Sequence, residues 1–153
     1  MFLVLVPGIV AGLLPWALTD WQTRSPSAAL QVAGLVLALA GAGVLLHAFA
    51  RFVVEGLGTP APVAPTERLV VGGLYRHVRN PMYLAVAATI VGQALILGWP
   101  SLLVYAAVFG AVVGAFVHAY EEPTLAARYG EQYEAYRRAV PAWWPRRRPW
   151  DGR

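Results

Sequence analysis

The sequence predicts an all-α fold, a polytopic membrane helix bundle of about four transmembrane helices plus a C-terminal amphipathic helix. Three observations carry that expectation. Apolar residues make up 58% of the 153-residue chain and charged residues only 13%, against roughly 25% charged in soluble domains. Mean hydropathy is +0.54. The apolar residues gather in runs of span length, and a stretch with a repeat of three to four residues follows the last of them.

The elements follow in chain order. Residues 2–18 form an apolar run near the lower limit of roughly 17–25 residues for a span. No basic segment precedes it and no clear cleavage site follows, so it reads as a retained span rather than a signal peptide. A short polar connection with Asp20, Arg24 and Pro26 leads to a second span, 28–49, rich in alanine and glycine. Small side chains there allow close approach of helices or ligands. Residues 51–80 are the one long polar segment. Its first part, from Gly56 to Pro65, excludes a regular helix, because Pro60, Pro62 and Pro65 each lack a backbone donor. Residues 81–97 form the third span, with Pro81 suited to its first turn. Gly98-Trp99-Pro100 is a reversal, and 101–120 is the fourth span. Over 122–140, Leu125, Tyr129, Tyr133, Tyr136 and Val140 recur at helical spacing and predict the amphipathic tail. Trp143, Trp144 and Trp150 beside Arg146–Arg148 have the pattern of interfacial anchors.

Length allows one domain. All twelve basic residues are arginine and stand against eight acids. All but Arg24 lie in the long loop or the tail, so both are expected on the cytoplasmic side, and four spans bring the N-terminus there too. No basic stripe alternates with stacking aromatics, so no nucleic acid is expected as partner. The chain has no cysteine, and His47, His77 and His118 lack ligand spacing, so no metal site is expected.

Two polar clusters interrupt this apolar chain. Tyr75-Arg76-His77-Val78-Arg79-Asn80-Pro81-Met82-Tyr83 stands where the third span begins, and Tyr120-Glu121-Glu122-Pro123 where the fourth ends. A helical hairpin of those two spans brings both clusters to one membrane face. Adjacent carboxylates repel unless cations answer them. Arg76 and Arg79 are the candidates, either for a structural clamp or for a polar ligand site. Gly43, His47, Arg51 and Glu55 are each four residues apart and share a helix face. Arg51 and Glu55 read either as an interfacial pair or as the wall of a cytoplasmic cavity, and they join Arg79 as candidate catalytic groups.

Arg79-Asn80-Pro81-Met82-Tyr83 and Tyr120-Glu121-Glu122-Pro123 resemble the signature blocks of the isoprenylcysteine carboxyl methyltransferase and phospholipid N-methyltransferase family. Gly41-Ala42-Gly43 is similar to the glycine-x-glycine element of the phospholipid enzymes, and Tyr129–Tyr136 followed by Val140-Pro141 to the tail of bacterial members. The resemblance runs over about residues 30–145. It implies S-adenosyl-L-methionine as methyl donor, with Gly41, Gly43, Tyr75, Arg76, His77, Asn80, Tyr83, Glu121 and Glu122 at its site. Arginine suits the donor's carboxylate, and the two acids suit its ribose hydroxyls and ammonium. The sequence departs from many members at Asn80, where histidine is frequent, and at Ala85, where glycine is.

The expected function is therefore an integral, multi-pass membrane methyltransferase. Its acceptor is expected to be a membrane lipid or lipophilic small molecule reaching the site from the bilayer. Two other classes share part of the pattern: a membrane NADPH-dependent reductase of the sterol-reductase type, against which the Glu-Glu-Pro block argues, and a non-enzymatic lipid-binding protein.

Overall fold

The computed structural model describes residues 6–56 and 68–152, and every regular element among them is helical. The readings of residues 2–5 and of 57–65 in the proline-rich stretch lie outside the described residues, whereas Gly56, expected in that irregular stretch, is the last residue of a helix. The helices are α1 (Val6–Thr19), α2 (Ala28–Gly56), α3 (Pro81–Leu97), α4 (Pro100–Tyr129) and α5 (Glu131–Ala139). A single 3-10 turn, Gly73–Arg76, precedes α3.

Two of these, Ala28–Glu55 within α2 and α4, are long and apolar enough to cross a membrane, whereas α1 and α3 are shorter apolar helices. Only 11% of the α2 window and 22% of the α4 window is buried within the protein. Val32, Val36, Leu39 and Leu46 on α2 and Val104 and Val112 on α4 are each more than 60% exposed. Apolar helices with so little protein around them need lipid as their solvent.

Two element ends differ from the sequence reading. No glycine or proline stands between Gly43 and Gly56, so α2 runs past residue 49 and carries Arg51 and Glu55 on its last turns. Pro123 does not end the fourth span. Its ring displaces the carbonyl four residues back, and the helix accommodates it by widening into one π-helical turn, Val117–Glu121, before continuing. The tail stretch, expected as one helix over 122–140, is broken at Gly130, whose φ of +54° lies in the left-handed region.

The chain divides into two compact units. One comprises Met1–Leu45 with Tyr83–Val113, and the other Leu46–Met82 with Gly114–Arg153. In the first, α1 repeats the proline device: a π turn, Ile9–Leu13, stands just before Pro15. Two carbonyls of that turn are taken up by side chains, as Gln93 Nε2 donates to Ala11 O at 2.7 Å and Tyr105 Oη to Val10 O at 2.8 Å. An unmet carbonyl in hydrocarbon costs several kcal/mol, so these two bonds make the wide turn tolerable. The helices meet at glycine. A Cβ on Gly34 would lie 2.6 Å from Gly92 O, and one on Gly41 would lie 2.7 Å from both Ala85 O and Thr89 Oγ1. Val86, Ile90 and Ala106 form one buried cluster of this unit, and Ala94, Leu97 and Leu102 another. At the 98–99 reversal, Trp99 Nε1 donates to Gln22 O at 2.6 Å, and the Arg24 guanidinium lies 3.6 Å from the Trp99 ring centroid.

The second unit is built on Tyr133, Tyr136 and Val140. They are nearly fully buried under Leu69, Val71, Leu125 and Trp150. A smaller cluster joins Ala48, Val70, Tyr75 and Met82. This unit holds the charged residues singled out above.

Candidate functional site

Within the second unit, the chain enters the Tyr75–Asn80 cluster through two glycines. Glu55 Oε2 accepts from the Gly72 N–H at 2.9 Å, and Glu55 Oε1 accepts from Arg51 Nη1 at 2.8 Å. Gly73 has φ +55°, and a Cβ there would meet His47 Nε2 at 2.7 Å. Arg51 and Glu55 thus pair with each other, and Glu55 also secures the turn that starts the cluster.

Downstream of that turn, Arg79 points into the unit. Its Nη1 donates to Glu122 Oε1 at 2.7 Å and to Tyr133 Oη at 3.0 Å. Its Nε is buried and has no hydrogen-bond partner among the described residues. The pair is secluded, with side-chain exposures of 12% for Arg79 and 14% for Glu122. The second carboxylate oxygen of Glu122 lies 3.8 Å from Arg137, a half-exposed cation. Tyr75, Arg79, Asn80, Glu121, Glu122 and Tyr133 line a cavity of about 70 Å³.

Burial raises the pKa of Tyr133, opposed by the neighbouring Arg79 charge. It raises that of Tyr136 much further, again with Arg79 opposing. Both phenols are therefore neutral at pH 7. Tyr136 uses its proton to bond Tyr75 O at 2.7 Å, which ties α5 to the loop.

The C-terminal residues hold the loop from its other side. Arg146 N–H donates to His77 O, and His77 Nδ1 donates back to Arg146 O, both at 2.9 Å. Trp150 N–H donates to Arg76 O at 3.0 Å while Arg76 Nε donates to Trp150 O. The Arg79 N–H bonds Pro141 O at 2.9 Å, and Asn80 Nδ2 bonds Ala142 O at 3.2 Å.

Of the residues singled out in the sequence, Tyr75, Arg79, Asn80, Glu121 and Glu122 come together at this cavity. Arg76 and His77 are instead occupied with the tail. Gly41, Gly43 and Tyr83 belong to the first unit. Gly41 packs closely against α3, whereas a Cβ on Gly43 would meet nothing within 4 Å. Sequence reasoning missed Tyr133 and Tyr136 as site residues. Their spacing was visible, but it served equally well for a helix lying on the membrane surface.

The described elements are all helical, two of them are of membrane length, and a secluded Arg–Glu pair stands at a small cavity, which is the make-up of a membrane protein that holds charge out of water. The chain belongs to the phospholipid methyltransferase family, whose model matches residues 29–132. That match covers more than half the chain and both signature blocks, and it makes the protein a membrane methyltransferase. No curated protein and no solved structure matches the chain.

Proposed function

We propose that the protein transfers a methyl group from S-adenosyl-L-methionine to a lipid or lipid-like acceptor, and that the Arg79–Glu122 cavity receives the charged end of the donor. The carrying observation is the buried Arg79 Nε, without a partner among the described residues, beside an ion pair and a cavity. A buried donor left unmet costs about 1–3 kcal/mol, and a carboxylate is the group that answers it best. At about 70 Å³ the cavity has room for an amino-acid carboxylate and ammonium. A whole cofactor occupies roughly 300 Å³ or more, so the nucleoside lies beyond the cavity walls.

When bound, the donor supplies a methyl already activated on sulfonium. The protein's part is to orient it and exclude water. Arg79 holds the carboxylate, and Glu121 and Glu122 hold cationic or hydroxyl groups. Tyr75 and Tyr133 give aromatic walls to a cation, a contact worth about 0.5–2 kcal/mol. Arg51 and Glu55 act at one remove, through the Gly72 turn. The proposal includes four spans, counting α1 and α3, with the charged site and both termini at the cytoplasmic face. An acceptor carried in the bilayer enters sideways between helices.

The test is turnover by purified protein in nanodiscs with methyl-labelled donor and three acceptors: phosphatidylethanolamine, a prenylated cysteine and a water-soluble thiol. Label is expected in a lipid-borne acceptor. Label in the soluble thiol alone would refute lateral entry, and no transfer to any acceptor together with no donor binding would refute the function.

A further inference from the structure

Residues 141–150 form no regular element, yet they are fixed along their length. One set of groups faces the loop: Pro141 O, Ala142 O, the Arg146 backbone and the Trp150 backbone all bond residues 76–80. Arg146 is drawn inward as well, its Nη1 donating to Ala139 O at 2.9 Å. The three consecutive arginines are thus not equivalent. Arg147 and Arg148 are exposed, and neither has a partner among the described residues. Trp144 on the same stretch is 82% exposed, the most exposed of the protein's large apolar side chains described. An indole left in water beside two unanswered guanidinium groups is an unfavourable surface for a soluble face. It is a favourable one at a headgroup layer, where indole sits at the apolar boundary and arginine meets phosphate.

We propose that residues 141–150 are a two-faced strap. Its inner face holds the Arg76–Asn80 loop, and its outer face, Trp144 with Arg147 and Arg148, docks on anionic lipid headgroups of the bilayer that holds the chain. The commitment to an anionic surface rests on charge. Residues 141–150 hold no acid, and the next one along the chain, Asp151, is itself engaged in an interaction. Docking of the outer face restrains the inner one, because Arg146 and Trp150 flank Arg147 and Arg148 within five residues of chain. Nothing in this reasoning depends on methyl transfer, so it stands or fails separately from the proposed function.

The chain has no cysteine, so a single introduced thiol reports one place. Full-length Pro145→Cys carrying an environment-sensitive fluorophore is placed in nanodiscs of phosphatidylcholine alone or of phosphatidylcholine with phosphatidylglycerol. Each disc also holds a lipid brominated high on its acyl chain as quencher. Pro149→Cys provides a second label position that leaves Pro145 in place. Near an anionic surface each arginine is worth about a fivefold preference, so quenching is expected in the anionic discs. In Arg147→Gln/Arg148→Gln the docking equilibrium should weaken about 25-fold, and high salt should act in the same direction. Both changes are on the exposed surface, and gel filtration verifies that the variant is folded. Equal quenching in both lipid mixtures, quenching in neither, or quenching unchanged by the double substitution would each overturn the proposal. Quenching confined to anionic discs and lost in the double variant supports it.

Discussion

The Arg79–Glu122 pair offers the sharpest perturbation. The partners are 2.7 Å apart and each side chain is less than 15% exposed, so removing one leaves the other charged and poorly solvated. Removing one partner of a buried pair costs about 3–5 kcal/mol. Two neighbours moderate the cost here. Arg137 remains 3.8 Å from Glu122, and Tyr133 Oη remains 3.0 Å from Arg79. Glu122→Gln keeps an acceptor for the guanidinium, so a loss of about 1.5–3 kcal/mol is expected, the range for a hydrogen bond to a charged group. Arg79→Met strands the carboxylate with one half-exposed cation and should cost about 3–5 kcal/mol. In Arg79→Met/Glu122→Met no charge is stranded. The double variant should therefore be less destabilised than the sum of Arg79→Met and Glu122→Met by about 2 kcal/mol or more, within the range for residues in contact. The assay is an equilibrium unfolding titration in mixed detergent, read by helicity and by tryptophan emission. Costs that simply add would refute the claim that the two groups form one buried unit. The double variant should bind no donor despite its recovered stability, which separates holding the fold from holding the ligand.

Tyr136→Phe removes the hydroxyl bonded to Tyr75 O at 2.7 Å and should cost about 1–3 kcal/mol in unfolding experiments, since the carbonyl is left buried. Tyr133 and Tyr136 both have raised pKa values. The folded state thus holds their protons more tightly than the unfolded state, so stability is fully present below the ordinary phenol value of about 10 and falls as pH rises past it. An alkaline unfolding curve should show that fall, and Tyr136→Phe should flatten it. Gly41→Ala puts a methyl 2.7 Å from Ala85 O and should destabilise by about 1–3 kcal/mol. Gly43→Ala meets open space and should stabilise by roughly 0.5–1 kcal/mol, with thermal melts separating the two. Truncation after Val140 removes the carbonyls that hold the Arg79 N–H and the Asn80 side chain. Binding of S-adenosylhomocysteine, measured by calorimetry, should weaken tenfold or more.

The helical class was legible because hydropathy alone dictates it: no chain this apolar can leave so much of α2 and α4 exposed to water. The meeting of Arg79 with Glu122 was legible too, since adjacent acids without local cations must find them elsewhere. Arg76 and His77 were harder to read. In the sequence they look as available as Arg79. What engages them is the backbone of the tail, and a carbonyl carries no sequence signal. The same holds for the π turns at Pro15 and Pro123. A proline announces a break, but whether the helix ends or widens depends on the neighbours that satisfy the freed carbonyls. In the first unit those neighbours are Gln93 and Tyr105, far along the chain. Gly41 and Gly43 look alike in sequence and differ only in what stands opposite. Alternation of glycine and alanine cannot encode that.

The central claim is donor binding at the Arg79–Glu122 cavity, and one measurement addresses it most directly. Purified protein and Glu121→Gln are titrated with S-adenosylhomocysteine and with NADPH while unfolding temperature is followed. A ligand that binds only the folded state stabilises it in proportion to its affinity. Glu121 lines the cavity, and loss of a charge-assisted bond of about 1.5–3 kcal/mol corresponds to a tenfold or greater weakening. The expected result is saturable stabilisation by S-adenosylhomocysteine, no response to NADPH, and a midpoint shifted at least tenfold in Glu121→Gln. Stabilisation by NADPH alone, or equal response of both proteins to S-adenosylhomocysteine, would contradict it.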